Sequence, residues 1–323
     1  MFLRAGVSAA LIAILLYYAR THHVMDALRN VGPQWVGLSV AVLAIGWLIN
    51  AVRWKLLLSA AGVEQGVGRL ASLYFIGMFF SQMLPTGAGG DVVRMWEVSR
   101  RTGKHAAVIV ATLQERLMGM GVSMLMALSV LPLYRTRLPA KVLPLFTGLP
   151  ILAVLAVSVL IYPRLFLRAG RRLRLPAKWG TLPMVRHIAV ELRKAAELPP
   201  LSIGRLGPIA LVTLIGDLFS MGAWWVLGRG VGIDLPLVAY YLIIPMIWVI
   251  SMAPSIGGVG VREAGFVSMM TLFAVPADKS LAVAALYLLV QLLLAGVGGL
   301  LLLGRVWSGT WKREPSSSDL GAT

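Results

Sequence analysis

The sequence predicts an all-α fold, a polytopic bundle of membrane helices with about six full spans and two Pro/Gly-broken re-entrant hairpins in inverted repeats. Three observations predict it. Of 323 residues, 58% are hydrophobic and 13% charged, with a mean hydropathy of +0.82. A soluble domain carries about 25% charged residues, and one packed core could not bury this much apolar sequence. The apolar residues also come in long runs, and about 20 such residues cross the hydrocarbon as a helix. Finally, two of the runs are interrupted by Pro and Gly in corresponding places.

The full spans are expected at 2–19, 34–52, 105–133, 142–162, 206–227 and 281–303. The first has no Ala-x-Ala cleavage site before the polar stretch from Arg20, so it reads as a retained span and not a removed signal. The run 70–99 breaks at Leu84-Pro85-Thr86-Gly87-Ala88-Gly89-Gly90-Asp91, and the run 237–273 at Ala253-Pro254-Ser255-Ile256-Gly257-Gly258-Val259-Gly260. Proline removes a donor, and glycine runs favour non-helical backbone. Unwound backbone at membrane depth survives only against protein or a wet cavity, so each break predicts a hairpin with its tip in the membrane or at its edge. The stretch 163–205 differs, holding ten Lys/Arg against two acids. Val185, Ile188, Ala189, Leu192 and Ala196 recur there at helical spacing, which reads either as an amphipathic surface helix or as a solvated loop helix. The chain is thus one transmembrane domain over 1–314, with repeat one at 34–133, the basic connector at 163–205, repeat two at 206–303 and a disordered Ser-rich tail at 315–323.

The formal charge of +17 would suggest nucleic acid in a soluble protein. Here the basic residues sit between apolar runs, which is the topological signature of cytoplasmic loops. With the connector inside, the inside stretches hold 21 Lys/Arg and the outside stretches 8. Both termini are then cytoplasmic. No cysteine exists for a disulfide or thiolate site, the four histidines form no ligand pattern, and hydrolase, zincin and nucleotide motifs are missing. Neither a cofactor nor a metal is expected.

The two broken runs resemble each other. Met83-Leu84-Pro85 parallels Met252-Ala253-Pro254, and Val92-Val93-Arg94 parallels Gly260-Val261-Arg262. Lys104 pairs with Lys279, and Gly121-Val122 with Gly296-Val297. Three full spans separate the breaks, and an odd number places them on opposite faces, the arrangement of inverted-repeat transporters.

Charges in spans cost about 2.5–3.5 kcal/mol each on insertion scales and are kept for a reason. Asp91 and Arg94 flank the first break at i, i+3 and share a helix face; Arg262 and Glu263 follow the second. One reading makes these a lipid head-group site, with Arg94 or Arg262 taking a phosphate and Gly89, Gly90, Gly257 and Gly258 letting backbone N–H groups approach it. The other makes them self-satisfied pairs that brace the hairpins. Glu115 and Arg116, with Gln291 at the repeat-equivalent place, either line a polar path or tie helices together, the second being favoured. Asp217 lies mid-span with no evident local partner, as a proton-coupling carboxylate or a packing hydrogen bond.

Arg53-Trp54-Lys55-Leu56-Leu57-Leu58, Leu84-Pro85-Thr86-Gly87-x-Gly89-Gly90-Asp91-x-x-Arg94 and Ser255-x-Gly257-Gly258-x-Gly260-x-Arg262-Glu263 resemble the conserved blocks of the lysylphosphatidylglycerol synthase transmembrane family, the flippase-like domain proteins. The likeness runs over roughly residues 34–305. It implies a prokaryotic inner-membrane protein that flips or handles an anionic or modified lipid of phospholipid, polyprenyl-phosphate or hopanoid type. Two-part members add a cytosolic aminoacyl-transferring domain. The sequence ends 20 residues after Leu303, so synthase activity is not carried over. The expected partners are the bilayer, a lipid substrate and a lipid-modifying enzyme, with no nucleic acid. The alternatives are a membrane-embedded transferase or accessory subunit, with Asp91 or Glu263 as base, and a scaffold acting through 163–205.

Overall fold

The computed structural model describes residues 31–83, 89–161, 203–251 and 260–308. The expected span 2–19, nearly all of the basic connector, the tail, and the centres of both Pro/Gly breaks with Gly257 and Gly258 lie outside them.

The described residues form helices and connecting turns, without strands. In order these are α1 (Pro33–Ala60), α2 (Val67–Met83), α3 (Gly89–Thr102), α4 (His105–Tyr134), α5 (Leu143–Ile161), α6 (Ile203–Gly230), α7 (Leu237–Ile250), α8 (Val261–Thr271) and α9 (Ala277–Trp307). Four of them, α1, α4, α6 and α9, are long and apolar enough to cross a membrane, while α5 and α7 carry shorter apolar stretches. Large side chains such as Leu38, Leu133 and Leu300 are exposed, as expected of surfaces that meet acyl chains rather than water.

Local rules set the helix ends. Pro33 opens α1, where its missing N–H costs nothing. The C-terminus of α1 closes on Gly62 at φ 75°, with Val63 N–H donating to Leu58 at 2.8 Å and Gly62 N–H to Ser59 at 3.1 Å, a Schellman motif that needs a left-handed residue. The end of α6 repeats it. Gly232 sits at φ 78°, Ile233 donates to Gly228 at 2.8 Å, and Gly232 to Arg229 at 3.1 Å. The Nζ of Lys104 then donates to the Gly62 carbonyl at 2.6 Å, and that of Lys279 to the Gly232 carbonyl at 2.9 Å. The lysine pair matched by sequence therefore makes the same bond in both halves.

The packing follows the same exchange. α1 packs along α6, α2 on α9 and α7 on α4, and within each half α2 meets α3 as α7 meets α8. Exchanging α1 with α6, α2 with α7, α3 with α8 and α4 with α9 maps these neighbours onto one another; α5 has no counterpart among the described residues. The central pair is antiparallel. Gly230 lies against Trp35, Gly222 against Val42, and Gly216 against Asn50, and the Ser39 hydroxyl donates to the Ala223 carbonyl at 3.1 Å.

Close backbone approach fixes the arms. A Cβ on Gly90 would stand 2.1 Å from the Gly77 carbonyl oxygen, and the Gly90 N–H donates to Ser81 Oγ at 3.1 Å, so α2 and α3 touch backbone to backbone. Likewise a Cβ on Gly298 would stand 2.0 Å from the Phe75 carbonyl oxygen, joining α9 to α2. Gly298→Val is expected to lose about 1–3 kcal/mol through overpacking, read as a lower Tm in detergent. Gly304→Ala, with nothing within 4 Å of its Cβ position, is expected to leave Tm unchanged.

Candidate functional site

Behind the first break, α1, α2, α3 and α4 direct five charged groups and a tyrosine to one place. Glu115 of α4 is 1% exposed and lies at the centre. Its Oε1 accepts from the Tyr74 hydroxyl at 2.6 Å and from Arg53 Nη2 at 3.3 Å. Its Oε2 pairs with Arg94 Nη2 at 2.8 Å. Arg94 also donates through Nε to Asp91 Oδ1 at 2.9 Å, and Arg116 donates to the other Asp91 oxygen. The Arg94 guanidinium sits 4.6 Å from the Trp54 ring centroid and 4.5 Å from that of Tyr74, a desolvated cation between two π-faces. Helix geometry explains the convergence, since Asp91 and Arg94 sit one turn apart on α3 and Arg53 and Trp54 are neighbours on α1. The Trp54 indole N–H donates to Thr112 Oγ1 at 3.0 Å, which docks α1 on α4.

Asp91, Arg94, Glu115 and Arg116 thus belong to one network. The polar arrangement is not purely self-satisfied. Arg94 Nη1 and Arg53 Nε and Nη1 are buried without a hydrogen-bond partner among the described residues, and buried donors are ordinarily paired. Gly89 and Gly90, at the start of α3, are buried beside this network.

Behind the second break the arrangement is simpler. Glu263 accepts from the Gly260 N–H at 2.6 Å, holding the first turn of α8. Arg262 Nη2 lies 2.5 Å from Glu263 Oε1, Arg262 Nη1 donates to Gln291 of α9, and the guanidinium lies 5.5 Å from the Tyr287 ring. Each half therefore sends an arginine from the helix after its break to the long helix that follows, Arg94 to Glu115 and Arg262 to Gln291. The aromatic supports correspond as well, with Trp54 in one half and Trp224, stacked on Tyr287 at 3.8 Å, in the other.

Asp217 of α6 has a partner after all, across the bundle and not along its own helix. The Ser123 hydroxyl stands 2.6 Å from Asp217 Oδ2 and 2.7 Å from the Gly119 carbonyl. Serine has one hydroxyl proton. When it goes to Gly119, a protonated Asp217 completes the contact; when Asp217 is ionised, Ser123 turns to it. Sequence reading passed over Arg53, Tyr74, Trp54 and Ser123. Arg53 and Trp54 stood in a quoted motif but were not linked to the site, because an arginine at a span end ordinarily reads as a topological charge and a tryptophan there as an interfacial belt residue. Among the described residues no group of three His, Cys, Asp or Glu could hold a metal.

These features define a polytopic helical membrane protein with a buried ionic centre. The family profile of the lysylphosphatidylglycerol synthase TM region matches residues 1–299, and the chain belongs to that family. It is 24% identical over 299 residues to a UPF0104 membrane protein of Methanothermobacter thermautotrophicus, covering 85% of this chain and 84% of that one. It is 23% identical over 163 residues to a UPF0104 membrane protein of Pyrococcus horikoshii, covering 50% of this chain and 48%, about half, of the relative.

Replacing Glu115 by Leu leaves Arg53 and Arg94 buried without their shared carboxylate, and removing one member of a buried pair costs about 3–5 kcal/mol. A marked fall in Tm is expected. Asp217→Asn, which can still bond Ser123, is expected to shift Tm far less. Thermal unfolding of both variants in the same detergent checks this.

Proposed function

We propose that this protein translocates an anionic or modified lipid across a prokaryotic inner membrane, with both termini cytoplasmic. In this reading the two halves are inverted repeats, and the segments around the two breaks are re-entrant arms entering from opposite faces. The antiparallel packing of α1 on α6 and the exchange of neighbours between halves support it, since equivalent helices running in opposite directions are what such repeats require.

The observation that carries the reading is the pair of buried arginines, Arg94 at 4% and Arg262 at 8% exposure, each placed just after a break. Buried guanidinium groups inside a membrane bundle are costly and mark the path of a charged group. A phosphate takes two parallel N–H bonds from one guanidinium, and Arg94 Nη1 has a donor to give. The head group passes between the two arms while its tails stay in the hydrocarbon. Asp91 and Glu263 hold the arginines when no phosphate is present, and Gly89 and Gly90, with Gly257 and Gly258, keep side chains out of the approach. Glu115, Arg116 and Gln291 line the polar path, and Asp217 with Ser123 is where a proton would couple to the movement.

Fluorescent or isotopically marked phospholipids and polyprenyl phosphates, reconstituted with the protein in proteoliposomes, test the proposal. Leaflet exchange is expected for at least one anionic lipid. Arg94→Gln and Arg262→Gln should each slow it roughly tenfold or more, the value of a charge-assisted hydrogen bond. Unchanged leaflet distribution across the panel would falsify it.

A further inference from the structure

Between α1, α4 and α6 a polar row reaches from the Glu115 centre to Asp217. Glu115, Gly119 and Ser123 follow one another on α4 at intervals of four residues, so they share a face in steps of about 6 Å. Gly119 leaves a gap in that row, and Arg53 of α1 fills it. A Cβ on Gly119 would stand 3.3 Å from Arg53 Nη1. One turn further on, the Ser123 hydroxyl stands 2.7 Å from the Gly119 carbonyl and 2.6 Å from Asp217 Oδ2. Arg53 therefore lies between two carboxylates, and both attract it.

Its hold on Glu115 is the loosest of three. Arg53 Nη2 is 3.3 Å from Glu115 Oε1, against 2.6 Å for the Tyr74 hydroxyl and 2.8 Å between Arg94 Nη2 and Oε2. Arg53 Nε and Nη1 are buried with no partner among the described residues. So is Asn50 Oδ1, one turn back on the same face of α1 and against Gly216, the residue before Asp217. The packing does not need this arrangement. Counting along equivalent helices from the matched glycines, Arg53, Glu115, Gly119, Ser123 and Asp217 correspond to Ala223, Val290, Leu294, Gly298 and Trp47, all buried. The second half fills the same row without charge and so without its desolvation cost.

Among the described residues, Arg53 is the charge that acts on Asp217. The charged residues of α6 and α9 sit near the ends of those helices, at Arg205, Arg229, Asp278, Lys279 and Arg305, and α7 has none. Tyr287 and Gln291 of α9 turn to Trp224 and Arg262, and Tyr240 of α7 lies against Gly228. On α1 and α4 the other charges are Lys55 and Arg116, each on a different face of its helix, and His105 is the first residue of α4.

We propose that Arg53 is a cation shared between Glu115 and Asp217, and that through it the binding of a phosphate at Arg94 is coupled to the uptake of one proton by Asp217. The coupling rests on the reading of Arg94 as the phosphate site. With Asp217 protonated, its O–H meets Ser123, Ser123 donates to Gly119, and Arg53 stays with Glu115. Glu115 then has a cation to spare, and Arg94 turns to the phosphate. With Asp217 ionised, Ser123 and the free N–H groups of Arg53 turn to it, and Glu115 keeps Arg94. The proton comes from water and bonds to an Asp217 oxygen; no other covalent bond changes. Phosphate and proton thus favour each other, and by the same factor.

The test adds a short-chain phosphatidylglycerol to the full chain in weakly buffered detergent, with a pH-indicating dye, and short-chain phosphatidylcholine as control. Uptake of about one proton per protein is expected with phosphatidylglycerol, together with growth of the infrared C=O band of a carboxylic acid. Asp217→Asn is expected to lose both signals. Arg53→Gln is expected to lose them too, and Arg53→Lys, which keeps the shared charge and guards against a folding artefact, to keep most of each. No uptake by the unmodified protein would overturn the proposal. So would uptake undiminished in Asp217→Asn or Arg53→Gln, or loss in Arg53→Gln and Arg53→Lys alike. Leaflet exchange by a protein that takes up no proton would remove this coupling alone, whereas proton uptake without exchange would remove translocation and leave the coupling in place.

Discussion

The ionic contact between Glu115 and its two arginines is the constraint around which the first half is arranged. A carboxylate that is 1% exposed in an apolar bundle persists only where charges of opposite sign and hydrogen bonds compensate its lost hydration. The compensation comes from three other helices at once, through Arg53 on α1, Tyr74 on α2 and Arg94 on α3. These helices cannot separate from α4 without exposing a buried charge. Trp54 adds a second restraint, packing under Arg94 while bonding Thr112. The second half meets the same geometric demand with weaker chemistry. Gln291 stands where a charged residue would complete the parallel, and Arg262 takes its countercharge from its own neighbour, Glu263.

A shared scaffold with unequal chemistry follows. The turns at Gly62 and Gly232, the lysines that clamp them and the antiparallel α1 and α6 give both halves one frame. On that frame the first half concentrates ionic groups from the buried centre to the end of α3, while the positions of α8 equivalent to Glu97 and Arg101 are Gly265 and Met269, both buried. Such asymmetry on a symmetric frame gives a molecule two distinguishable sides.

The helical membrane class was legible from apolar run length alone, because hydrocarbon thickness fixes the length of a span. Proline and glycine mark the expected breaks at 84–88 and 252–259, both outside the described residues; the described part of α7 ends at Ile250 and α8 begins at Val261. Lys104 and Lys279 could be paired by eye and do occupy equivalent places. What could not be read was which distant charges meet. Arg53 and Glu115 are 62 residues apart, and Ser123 and Asp217 are 94 apart. Local spacing predicts partners at i+3 and i+4, as for Asp91 and Arg94, but contacts between spans depend on helix rotation and depth, which an apolar sequence encodes weakly.

The packing of α2 on α9 and of α7 on α4 has a consequence for how such a chain holds together. Neither half rests its short arm on its own long helix alone; each lends that arm to the other. A half expressed singly would expose the groove meant for its partner's arm, including the Gly298 surface that receives Phe75. Two copies could fill each other's grooves, in the manner of an exchanged dimer. The arms therefore hold the two halves together by exchanged contacts as well as by the chain.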